Sequence, residues 1–172
     1  MDLQVKIQFE VYNYAVLRNL SIKGEIAMAT VRDMIRKKGG EVFGIGPDAT
    51  VYEALQMMAK HNSGALLIMN GDDMVGILSE RDCVRKVDLQ GKNANNTRVR
   101  DIMTRDVISV SCDQTVEECE TLMMEKGIRH LPVYDGDKLA GFLSVRDVLR
   151  EVIEMQQVML SQLERYITGG GR

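Results

Sequence analysis

Two heptapeptides carry the residue types best suited to holding a polar ligand: "GILSERD" at 76–82 and "GFLSVRD" at 141–147. Each sets a serine three residues ahead of an aspartate with an arginine between them: Ser79, Arg81 and Asp82, then Ser144, Arg146 and Asp147. Taken alone, that spacing is a helix-capping box with Asp in the place of Glu, whose hydroxyl and carboxylate satisfy the first free N–H groups of a helix. Three features add a second chemistry. Each cassette opens on a glycine before an apolar pair, where the backbone can pass close to a neighbour. Each lies where a strand ends and a helix begins, the position that favours an anion. A carboxylate there can accept both hydroxyls of a ribose, while the arginine and the helix start take phosphate.

The cassettes close a longer repeat. Shifted by 65, residues 42–85 match 107–150 without a gap, with 15 identities in 44 positions. Ahead of Val42 the shift becomes 68, pairing "VRDMI" at 31 with "VRDIM" at 99, so the first copy carries three extra residues around Lys37 to Gly40. Such a repeat defines the architecture. Each copy predicts a helical lead-in, a short strand ("EVFGI", "DVISV") and a helix whose stripe, Val51, Ala54, Leu55 and Met58 in copy one, faces inward. Thr50 with Glu53, and Thr115 with Glu118, predict capping boxes. Then "GALLIM" and "HLPVYD" predict strands, and "NGDDM" and "DGDKL" turns of hairpins into "VGILS" and "AGFLS". A second helix starts at Ser79 or Ser144. The continuous apolar strands imply sheets covered on both faces, so two halves too small to bury a core alone share one.

Composition narrows the function classes. The chain is 45% hydrophobic and 27% charged, with a net charge of -3 and scattered lysines and arginines. That is a globular balance without the basic patch of a nucleic-acid binder. No apolar run reaches the roughly 18 residues of a membrane span. Cys83, Cys112 and Cys119 form no CxxC pattern, which argues for buried thiols in a reducing compartment, and two histidines argue against a His-based metal site. The first 28 residues suit neither a signal nor a transit peptide, so a cytoplasmic address is expected. No nucleophile with a paired base, no metal-ligand spacing and no phosphate-cradling glycine loop is present, so no enzyme is expected.

The repeats resemble a tandem of cystathionine-β-synthase (CBS) domains, a Bateman module, over about residues 29 to 153. The cassettes match that family's closing signature, Gly-hydrophobic-x-Ser/Thr-x-x-Asp, and "GIRHLPV" at 127–133 is also characteristic. With a tail ending "LERYIT", the chain is similar to stand-alone CBS-pair proteins of bacteria and plant organelles. The resemblance implies an α/β fold of the α+β type, two β-α-β-β-α repeats packed through their sheets with pseudo-twofold symmetry, plus a long C-terminal helix. The expected boundaries are an N-terminal arm at 1–28, repeat one at 29–88, a linker at 89–97, repeat two at 98–153, and a helical extension and tail at 154–172.

It also implies a non-catalytic regulatory module holding an adenosine nucleotide, AMP, ATP or NAD(H), between the repeats, and signalling energy or redox status to an unidentified target enzyme or protein. Asp82 and Asp147 would bind ribose hydroxyls, with Ser79 and Ser144 beside them. Arg146, Arg129, His130 and Arg81 would lie towards phosphate. Val42, Phe43, Ala65, Val107, Ile108, Leu131 and Pro132 would border the adenine. Copy two has "IRH" where copy one has Ser63, Gly64 and Ala65, so phosphate is better matched there. His130 has a plainer reading, a hydrogen-bonded structural residue, and the methionines one as core or interface filling. The alternative function is a constitutive adaptor with degenerate nucleotide sites.

The ends extend past the repeats. Val145, Leu149, Val152, Met155, Met159 and Leu163 keep a near-heptad spacing, which predicts a homodimer surface or a helix folded back on its own domain. In the N-terminal arm "VKIQFEV" alternates like a strand, "YNYAVLRNL" suits a short helix, and Met28 is an alternative start.

Overall fold

The structure, a computed structural model, describes residues 29–169. The expected strand, helix and alternative start within 1–28 lie outside the described residues, as does the side chain of Leu163.

Each repeat builds one three-stranded sheet. In repeat one, β1 (Gly44–Ile45) runs parallel to β2 (Ala65–Asn70), which pairs antiparallel with β3 (Asp73–Ser79). In repeat two, β4 (Val110–Ser111), β5 (His130–Asp135) and β6 (Lys138–Ser144) repeat that order. Even the register irregularity recurs, between Ile68 and Met69 and between Val133 and Tyr134. The first strands are far shorter than the apolar runs that predict them. They pair on one side only, and backbone pairing continues past β1 through one bond, from Leu67 N to Phe43 O (3.1 Å). Helix α2 (Val51–His61) opens on the Thr50–Glu53 capping box and buries Val51, Ala54 and Met58, as its stripe predicts. Helix α5 (Val116–Lys126) does the same with Thr115, Glu118, Val116, Cys119 and Met123. Helix α3 (Glu80–Lys86) and helix α6 (Val145–Gly169) follow the cassettes.

The lead-ins cross over. Helix α1 (Val31–Lys38) precedes repeat one, yet Val31, Met34 and Ile35 fill the core formed by Val110, Val116, Leu131, Leu143 and Val148 of repeat two. Helix α4 (Val99–Ile102) precedes repeat two, yet Val99, Ile102 and Met103 complete the core of Val51, Met58, Leu66 and Leu78 in repeat one. Backbone bonds from Val31 N to Gln114 O and from Val99 N to Ala49 O, each 2.9 Å, fix the exchange. Arg32 adds ion pairs to Asp113 and Asp135 of repeat two. A third cluster, around Ala65, Leu67 and Phe142, joins the two sheets. The halves are therefore bound both face to face and by exchanged helices.

The exchange accounts for the cassette glycines. A Cβ on Gly76 would lie 2.8 Å from Thr104 O and 2.9 Å from Met103 Sδ, and one on Gly141 would collide with Ile35. The close neighbour implied by the sequence is the other repeat's lead-in. The three extra residues lengthen α1: Gly39 (φ 92°) ends it in the left-handed region and Gly40 (φ 67°) continues there, a pair of conformations that glycine adopts without steric cost.

The C-terminal helix divides its apolar residues between two faces, one folded back on its own domain and one turned outward. Val145 and Val152 pack against the repeat-two core, where Val148 is buried. Leu149 turns outward with Ile153 and Leu160. The reason is angular: at 100° per residue, positions 149, 153 and 160 share one direction and 148, 152 and 159 another.

Candidate functional site

Both cassettes open onto one cleft of about 580 Å³ between the repeats, a size typical of small-molecule pockets. Each is a capping box, as its spacing predicts. Ser79 N and Oγ donate to Asp82 Oδ2 (3.1 and 2.6 Å), and Ser144 N and Oγ donate to Asp147 Oδ2 (both 2.7 Å). The caps use one carboxylate oxygen apiece.

The second oxygens differ. Asp82 Oδ1 accepts from Lys86 Nζ at 2.8 Å, one turn along α3. Sixty-five residues on, Glu151 replaces that lysine. Glu151 is buried and takes Lys37 instead (2.7 Å), while Lys38 Nζ donates to Asp147 Oδ2 (2.8 Å) and to Phe142 O (2.8 Å). The lysines of the inserted segment thus restore a cation that repeat two lacks, but on the oxygen already used by the cap. Among the described residues, Asp147 Oδ1 accepts no hydrogen bond. Burial pushes both carboxyls up; for Asp147 the Lys38 and Ser144 bonds outweigh it, for Asp82 those of Lys86 and Ser79, and each ends below the usual range. Both are ionised at neutral pH.

Arg81, Arg129 and Arg146 line the cleft as the family resemblance implies, joined by Arg150. All four are exposed and, among the described residues, none of their guanidiniums makes a hydrogen bond or ion pair. His130 also lines it, but not as a cation. Burial, with help from Arg129 and Lys38, lowers its pKa to about 4, and its ring stacks on Phe142 at 5.4 Å. At neutral pH it is an uncharged aromatic wall, so it brings no positive charge to the cleft.

Of the expected apolar border, Phe43, Val107 and Ile108 line the cleft, with Phe43 stacked on His61 at 4.0 Å. Val42, Ala65, Leu131 and Pro132 do not. Ala65 and Val42 belong to the cluster between the sheets, Leu131 is fully buried in the repeat-two core, and Pro132 is buried in β5. Side chains alternate along an extended chain, which turns Phe43 into the cleft and Val42 away from it. Lys38, Glu80, Phe142 and Arg150 were missed by sequence reasoning. Arg150 had a signal, since it stands one helical turn from Arg146, and Lys38 had one in the only break of the repeat. The thiols are structural: all three are buried, and burial raises Cys83 and Cys119 to about 11.

The chain belongs to the CBS-domain family, whose profile matches it twice, over residues 29–89 and 99–154. It is 35% identical over 150 residues to the mitochondrial CBS domain-containing protein CBSX3 of Arabidopsis thaliana, covering 82% of this chain and 73% of that one. The solved CBS-domain structure NE2398 is 45% identical with a TM-score of 0.71, over 74% of this chain and 99% of that one. The CBS pair of protein MJ0100, solved with 5′-methylthioadenosine and S-adenosyl-L-methionine, is 26% identical with a TM-score of 0.64, over 73% and 97%. CBS pairs are regulatory modules. No helix among the described residues is long and apolar enough to cross a membrane.

Proposed function

We propose that the protein is a non-catalytic regulatory module that binds an adenosine nucleotide of the AMP, ATP or nicotinamide-dinucleotide type in the cleft between its repeats. It transmits energy or redox status to a partner protein through a change in packing. One observation carries the reading: an ionised Asp147 with an unused Oδ1 stands in a cleft beside the unpaired guanidiniums of Arg129, Arg146 and Arg150. Oδ1 suits a ribose hydroxyl and the guanidiniums suit phosphate. Phe43, His61, His130 and Phe142 offer flat apolar faces to a purine. The adenosine compounds held by the MJ0100 pair support the ligand class.

Calorimetry with AMP, ATP and NAD(H), up to millimolar, tests the proposal, together with mass spectrometry of nucleotides released from freshly purified protein. The expected result is saturable heat with at least one of the three and no turnover. Silence across the whole panel would refute it and favour a constitutive adaptor. That second reading draws on repeat one, where both oxygens of Asp82 are occupied.

A further inference from the structure

The two ends of the cleft differ most at one exposed position. Shifted by 65 residues, Glu80 falls on Val145 and Gly64 on Arg129. The backbones superimpose in function: Glu80 N donates to Gly64 O (3.0 Å) and Val145 N to Arg129 O (2.8 Å). Only the side chains change, and they change the charge. Lys38 pairs with Asp147, and repeat two contributes Arg129, Arg146 and Arg150 to the cleft lining, while Glu41 and Asp106, which match under the same shift, line it too. Around Asp82 stand Arg81 and Lys86, against a second carboxylate, Glu80.

Glu80 is not a structural carboxylate. It is exposed and, among the described residues, its side chain makes no hydrogen bond or ion pair. Its Oε2 stands 3.5 Å from the point where a Cβ on Gly64 would be, and His130 Nε2 of the other repeat stands 3.9 Å from the same point. The carboxylate therefore lies on the repeat-one wall of the cleft, over Gly64 and facing His130 of the other repeat. His130 is neutral at pH 7 and offers it no counter-charge.

We propose that Glu80 determines charge specificity: it keeps phosphate off the repeat-one cassette, so that each chain takes a single phosphate-bearing nucleotide, at the Asp147 end. The proposal rests on the nucleotide reading above and adds to it which cassette is used and why. A nucleoside monophosphate brings close to two negative charges at neutral pH, and beside Glu80 these meet an unneutralised carboxylate. The Lys86 pairing of Asp82 Oδ1 weakens the ribose contact at the same end.

Calorimetry on the full chain, with AMP and with adenosine, separates the outcomes. The wild type should take one AMP. Glu80→Gln, which keeps shape and removes charge, should admit a second AMP, with affinity at that end rising roughly tenfold. Glu80→Val, the side chain found at the matching position of repeat two, should do the same. Adenosine binding should not move, since it carries no phosphate. High salt should shrink the wild-type discrimination by screening. Two AMP per wild-type chain, or unchanged AMP binding in both variants, would overturn the role of Glu80 and leave the nucleotide reading standing. An equal change for adenosine would also overturn it, because Glu80 would then act through shape. If neither AMP nor adenosine binds the wild type, the AMP form of the nucleotide reading fails, and this proposal with it.

Discussion

Asp82 and Asp147 cap their helices in the same way, so removing either costs the fold a similar capping box. What remains differs, since only Asp147 keeps an oxygen with no partner. Asp147→Ala should therefore weaken nucleotide binding by roughly 1.5–3 kcal/mol, the size of a charge-assisted hydrogen bond, and Asp82→Ala by much less. Titrating both variants beside the wild type checks this; equal losses would mean that the free oxygen is irrelevant. His130 gives a pH dependence with a definite sign. Its folded pKa, about 4, lies below the ordinary 6.5, because burial first and then Arg129 and Lys38 disfavour the charged ring. Between those values the unfolded chain binds the proton more readily, so the contribution to stability is complete above pH 6.5 and is lost as pH falls towards 4. The carboxylates held below their usual range act only further down. Urea midpoints at pH 7 and pH 5 should thus differ for the wild type and converge for His130→Gln. A slope unchanged by the substitution would place the effect elsewhere.

Between elements, the tightest contacts are those of the exchanged lead-ins on the cassette strands. Gly76→Ala would push a methyl against a backbone carbonyl, Thr104 O, whereas Gly141→Ala meets only the Ile35 side chain. Side chains can shift and a hydrogen-bonded backbone cannot, since Thr104 N and O are both bonded to Ile77. Overpacking of this kind costs about 1–3 kcal/mol, and chemical denaturation should rank Gly76→Ala as the more damaging. The reverse order would show that α4 yields more easily than α1. These contacts also mark where the sequence stops being legible. Capping boxes, helix stripes and hairpins are local, and Thr50 with Glu53 or Thr115 with Glu118 announce them within four residues. The exchange is not local: "VRDMI" and "VRDIM" carry nearly the same apolar stripe, which fits either core. The cassettes marked the hydroxyls and carboxylates that open onto the cleft, but not which oxygens the fold had already used. Lys37 and Lys38 come from the insertion, and their partners on α6 are more than a hundred residues away.

At the scale of the whole molecule, repeat two presents an apolar face that extends well past its counterpart in repeat one, where Val84 matches Leu149 and is equally exposed. Leu149, Ile153 and Leu160 are 48%, 52% and 61% exposed along α6, and Met124 of α5 is 76% exposed beside them. A shallow groove between the helices, floored by Met123, Ile128 and Val148, continues that face. At the matching positions of repeat one stand Val84, Asp88 and Ala59. An apolar patch of this kind on one side of a molecule is an interaction surface or an aggregation hazard. Its self-complementary placement on a helix suits a twofold contact, in which Leu149 and Ile153 meet their own copies. We expect a homodimer joined through this face of α6. The same helix carries Arg146 and Arg150 into the cleft one turn apart, so a nucleotide that engages them acts on the element that bears the contact. Cutting the helix short would also remove Glu154, one partner of Lys37, so substitution is the cleaner test. Ile153→Asp with Leu160→Asp should turn a dimer into a monomer in light scattering at micromolar concentration, with nucleotide still bound. A doubly substituted chain that stays dimeric would move the interface to another surface.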